Sequence, residues 1–183
     1  MRHLLTRHPD SHSAAVAQID VEVTRVRAES LLLSYTVTGQ MSDISMPPVM
    51  AAERSDELWR HTCFEAFVRA SPGDAYYEFN FAPSTQWAAY RFSGYRQGMC
   101  VATEIGAPAI DVHSSADRTT LRASLQLDQL SALSPKTSWY LGLSAVIEDT
   151  SGRMSYWALA HPPGKPDFHH ADCFAHEFPP VQP

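Results

Sequence analysis

Glu65, Glu78 and Asn80 are polar side chains set among aromatic residues in stretches that alternate in character. A charge is seldom placed in such a stretch unless its face is solvated or paired. Trp59 precedes Glu65 by six residues, and Arg91 closes the next aromatic-rich segment. Indole, carboxylate, amide and guanidinium are the groups a sugar-like ligand needs. Its apolar ring face stacks on an aromatic plane, while its hydroxyls require directed acceptors and donors. In such a site Glu65 and Glu78 accept from ligand hydroxyls and Arg91 donates. The plainer alternative leaves both acids on an open sheet face, or pairs them with Arg69 and Arg91. Two carboxylates also admit glycoside hydrolysis, which needs an acid and a base or nucleophile flanking one bond.

The elements that must position these groups run from Glu57 to Phe92. Thr62–Arg69 alternates as a strand, with Phe64, Ala66 and Val68 on one side and Cys63, Glu65, Phe67 and Arg69 on the other. Ser71-Pro72-Gly73-Asp74 is a turn signal. Ala75–Phe81 puts Tyr77, Phe79 and Phe81 on one face and Tyr76, Glu78 and Asn80 on the other. A hairpin pairing then places Glu65, Glu78 and Asn80 on a shared surface. After Pro83-Ser84-Thr85, a third strand, Gln86–Phe92, carries Trp87, Tyr90 and Arg91.

Elsewhere, Ile19–Val26 and Ser30–Thr38 alternate cleanly and form a first hairpin that ends at Gly39. Residues 40–55, with Pro47-Pro48, read as a long loop with a helical turn near Ala51–Glu57. Val101–Ile105 and Ala109–His113 are short strand candidates. Thr119–Leu127 is the clearest alternation in the chain, and Trp139–Glu148 is apolar enough to be buried on both faces. Met154–Ala160 completes a hairpin with it. The tail from His161, rich in Pro and His, reads as a loop that packs back over the sheets. Many short strands, turn signals between them and no long helix predict one all-β domain over residues 1–183, an antiparallel β-sandwich of jelly-roll type with its core at about residues 15–175.

Composition narrows the function. The chain has 183 residues, 44% of them hydrophobic and 19% charged, with a net charge of −6. An acidic balance argues against nucleic acid or an anionic membrane surface as partner. Three cysteines without CxxC spacing suggest free thiols and no metal knuckle. MRHLLTRHPDSHS lacks the apolar core of about 7–15 residues that a signal peptide needs, so a cytoplasmic location is expected. No G-x-G-x-x-G, phosphate-binding loop or G-x-S-x-G elbow occurs, and the sequence reads as a non-catalytic binder. Among the remaining aromatic and imidazole groups, Trp87 and Trp157 are either site walls or core, and Trp139 is core. His161, His169, His170 and His176 crowd the last quarter without a ligand spacing that selects a metal.

ELWRHTCFEAFV, YYEFNFAPSTQWAAYRF and YWALAHPPGKPDFHHADCF together resemble the DOMON-like superfamily, close to the family 9 carbohydrate-binding modules and in particular a stand-alone bacterial subgroup. The resemblance implies a sandwich that clasps the end of a sugar chain between two aromatic rings. By position it implies Trp59 as one wall, Glu65 as acceptor and Arg91 as donor, with either Trp157 or the His169-His170 loop as the second wall. Family 9 modules also tend to hold structural calcium, for which this sequence has no dense Asp cluster. Other members bind haem through Met and His, which would nominate Met46 or Met50 with His161 or His170. A haem-binding electron-transfer domain and a partner-binding accessory module are therefore the alternatives to a saccharide-binding domain without a cofactor.

Overall fold

A computed structural model describes residues 1–27, 29–130 and 132–181. Thirteen strands account for most of it: β1 (Arg2–Leu4), β2 (Thr6–Arg7), β3 (Val16–Arg27), β4 (Ser30–Gly39), β5 (Cys63–Ala70), β6 (Tyr76–Phe81) and β7 (Trp87–Phe92), then β8 (Cys100–Val101), β9 (Ala109–Ser114), β10 (Arg118–Gln126), β11 (Trp139–Glu148), β12 (Met154–Ala158) and β13 (His176–Phe178). They form two sheets, β1-β3-β4-β10-β9 and β2-β12-β11-β5-β6-β7-β8, with β13 pairing the first residues of β11. All strand pairs are antiparallel. The fold is the expected antiparallel β-sandwich.

Alternation dictates which side chains meet between the sheets. Ile19, Val21 and Val23 of β3, Leu31, Leu33, Tyr35 and Val37 of β4, and Leu121, Ala123 and Leu125 of β10 point inward from the five-stranded sheet. Phe64, Ala66 and Val68 of β5, Phe79 and Phe81 of β6, and Leu141, Leu143 and Ala145 of β11 meet them from the other sheet. Each large apolar side chain buried this way contributes roughly 1.5–3 kcal/mol, so this layer is the main source of stability. One polar tie crosses it: the buried Tyr35 hydroxyl donates to the Glu65 carbonyl oxygen at 2.6 Å. That bond anchors β5 at the residue whose side chain points the opposite way.

The second sheet is covered on its outer face too. Phe67, Tyr76, Ala88, Tyr90, Phe92, Val146 and Ala158 form a second apolar cluster there with Phe168 and Phe174. The covers are a short 3-10 helix, Leu58–Arg60, and the segment that returns after β12. Gly142 permits the close approach of that segment, since a Cβ there would lie 3.1 Å from the Cys173 carbonyl oxygen. The tail does pack back over the sandwich, and it also adds β13.

Several expectations are corrected. No helical turn forms at Ala51–Glu57; the turn lies just beyond, at Leu58–Arg60, with Glu57 in the left-handed region at φ 61°. Arg54 instead bridges to Trp87 and lays its guanidinium 4.1 Å over that indole. Val101–Ile105 contributes only the last residue of β8, and Ala102 and Ile105 are buried below the sheet edge. Residues 2–7, which show no alternation, serve both sheets: β1 extends one and β2 the other.

Candidate functional site

The strongest site lies on the covered outer face of the larger sheet. In register, Glu65 of β5 stands opposite Asn80 of β6 on one side and Ser144 of β11 on the other. Glu78 stands opposite Phe67 and Tyr90. Alternation thus puts both acids and the amide on one face, as expected, but this face is buried rather than solvated: Glu65 is 3% exposed and Glu78 5%. Ser144 Oγ donates to Glu65 Oε2 at 3.3 Å, and Asn80 Nδ2 donates to Glu78 Oε1 at 2.8 Å.

Loops complete the enclosure. Trp59, on the 3-10 helix, packs edge-on against Tyr90 with ring centroids 5.8 Å apart, and the Tyr90 hydroxyl donates to Asp56 at 2.6 Å. Arg96 sits in the turn after β7 at φ 52°, a left-handed conformation uncommon for a long side chain. Its backbone N–H donates to the Tyr76 hydroxyl at 3.2 Å, and its guanidinium donates to Asp167 through Nη2 at 2.7 Å and Nε at 3.2 Å. Tyr76 passes the chain of bonds to His169 Nδ1 at 2.8 Å, which leaves the imidazole Nε2 3.8 Å from Glu78 Oε2. Together these groups surround a cavity of about 380 Å³. Glu65, Glu78, His169 and Arg96 supply its polar side, while Trp59, Phe92, Tyr156 and Phe168 supply aromatic surface.

Burial dominates the electrostatics. It pushes the Glu65 carboxyl well above the usual carboxylate range, and the charge of Glu78 adds to the rise against the opposing Ser144 bond. Glu78 is pushed up to about 7, again by burial, with the Asn80 bond and the Arg96 charge opposing. Burial holds His169 down to about 4, so it is neutral at physiological pH. Both acids move the same way. The arrangement sets buried carboxyl groups beside aromatic surface in one cavity.

Of the residues singled out in the sequence, Trp59, Glu65, Glu78 and His169 line the cavity, and Asn80 is buried beside it on the same face. Three do not join them. Arg91 shares the Trp87 and Ala89 side of β7, opposite to Tyr90, and its guanidinium lies 3.5 Å from Glu104 at the sheet edge. Trp157 points into the inter-sheet core and donates to Ser155 Oγ at 3.0 Å. It is the preceding residue, Tyr156, that reaches the cavity, as strand alternation demands. His170 turns away from its neighbour and caps the 3-10 helix Ala171–Cys173 by accepting from the Asp172 N–H at 3.3 Å. The guanidinium of the site is that of Arg96. Nothing periodic marks it, because it sits in a turn.

Among the described residues no three His, Cys, Asp or Glu side chains converge as metal ligands. Of the groups nominated for haem, Met50 is exposed beside the β6–β7 turn, His170 lies beyond the other end of β7, Met46 packs on the inter-sheet core and His161 Nε2 is 2.8 Å from the Thr6 carbonyl oxygen.

No protein-family model and no curated protein matches the chain. Solved structures do. A protein of Bacteroides uniformis proposed to bind carbohydrate superposes with a TM-score of 0.65 at 12% identity, over 94% of this chain and 83% of that one. A family 9 carbohydrate-binding module from Caldicellulosiruptor kristjanssonii, in complex with cellotriose, superposes with a TM-score of 0.52 at 10% identity, over 90% of this chain and 74% of that one. The chain shares their β-sandwich fold.

Proposed function

We propose that this protein is a non-catalytic saccharide-binding domain whose ligand enters the cavity above Glu65 and Glu78. The observation that carries the reading is the meeting of the half-buried Trp59 indole with two buried carboxyl groups and the Arg96 guanidinium around one cavity. A sugar ring has an apolar face for Trp59 and hydroxyls for the acids. The cavity volume lies within the range of about 300–1,000 Å³ typical of small-ligand sites. The fold likeness to proteins named for carbohydrate binding supports the same reading.

The test is a calorimetric titration with a panel of mono- and oligosaccharides, including glucose and cellotriose, on the wild type and Trp59→Ala. Saturable heat in the wild type that disappears in the variant is expected. A panel that leaves heat, tryptophan fluorescence and melting temperature unmoved overturns the proposal.

A further inference from the structure

The balance of charge and hydrogen-bonding groups in the cavity points to a narrower ligand class. Its charged lining residues are Glu65, Glu78 and Arg96. Arg96 is already matched, because Asp167 accepts from two of its nitrogens. His169 cannot compensate either: its Nδ1 is taken by Tyr76, and its Nε2 stands 3.8 Å from Glu78, beyond hydrogen-bond distance. Among the described residues the two acids therefore have no cation bonded to them, although the Arg96 charge reaches both.

They also lack donors. A carboxylate offers about four acceptor positions. Among the described residues Glu65 receives one side-chain bond, from Ser144, and Glu78 one, from Asn80. Asn80, buried behind the cavity on the same face, has an Oδ1 with no partner among the described residues. Buried acceptors without a protein partner need donors from water or from a ligand. The aromatic surface favours positive charge as well, because a ring face attracts a cation lying over it. Trp59, Phe92 and Tyr156 all line the cavity.

We propose that the cavity selects a ligand bearing a protonated amine, an amino sugar, with its ammonium donating to Glu65 and Glu78 and its ring lying on Trp59. The inference rests on the saccharide reading for the sugar part and on the acceptor surplus for the ammonium. An ammonium carries three donors and no acceptor, the complement of this floor. Calcium would ask for about six to eight oxygens, which two acids and an amide among aromatic rings do not provide.

The experiment is calorimetry near neutral pH with glucosamine, glucose, N-acetylglucosamine and cyclohexylamine as probes, on the full chain and on Glu78→Gln. Charge-assisted bonds are roughly twice as strong as neutral ones, so glucosamine is expected to bind at least ~10-fold tighter than glucose or its N-acetyl relative. That ratio should collapse in Glu78→Gln, whose fold is checked by its melting temperature. Equal binding of glucosamine and glucose overturns the ammonium inference and leaves the saccharide reading standing. Binding of cyclohexylamine with no sugar bound supports the ammonium site and overturns the saccharide reading. Silence from all four probes overturns both.

Discussion

Replacing Glu78 with Gln should stabilise the protein, increasingly so as the pH rises. Glu78 is pushed from its ordinary 4.5 up to about 7. Between those values the folded chain holds a proton that the unfolded chain has released, so the carboxyl's contribution to stability declines as pH rises through this window. The full penalty is on the order of 3 kcal/mol, nearly all of it incurred by about pH 8 and little of it near pH 5. Gln keeps the shape and the acceptor for Asn80 Nδ2 and escapes the penalty. His169, held down to about 4, acts in the opposite sense, because the unfolded chain binds its proton first as pH falls below 6.5. That opposing effect is present in both proteins, so the difference between them reports Glu78 together with the relief of its charge on Glu65. Urea unfolding of wild type and variant should show the gap widening by roughly 2–3 kcal/mol from near pH 5 to near pH 8. A gap that does not change with pH, or a variant less stable at the higher pH, would refute the assignment of a desolvated, unmatched carboxyl.

Two further outcomes follow from the same contacts. Tyr76→Phe removes the hydroxyl between the Arg96 N–H and His169 Nδ1, which should cost about 1–2 kcal/mol, a fall of roughly 2–8 °C in a thermal melt. Of the three thiols, Cys63 is buried and pushed well above its ordinary value and Cys173 is pushed up to about 12, so a disulfide exchange reagent should titrate Cys100 alone in the native protein and all three in denaturant.

Much of this architecture was legible because a strand's period of two leaves little freedom. The runs at Ile19–Val26, Ser30–Thr38 and Thr119–Leu127 fall within or overlap β3, β4 and β10, and the same rule placed Glu65, Glu78 and Asn80 together. The rule also explains the misplacements. Tyr90 and Arg91 are adjacent, as are Tyr156 and Trp157, so only one of each pair can face the cavity. Pairing register, which the turns fix, decides which. What periodicity cannot supply is the cover. Arg96 owes its position to a turn with positive φ, and Phe168 and His169 to a segment whose route is set by contacts with Phe67, Tyr76 and Phe92 rather than by any local pattern. Short strands such as β1, β2 and β13 have two or three residues each, too few to display alternation.

A crystal structure of the protein grown with saturating glucosamine or glucose decides whether the cavity above Glu65 and Glu78 holds the ligand. A sugar ring is expected against Trp59 with its polar groups on Glu65 and Glu78. A sugar bound instead on the outer face of the five-stranded sheet, in the depression lined by Asp20, Thr36 and Thr120, with the cavity empty, would contradict it.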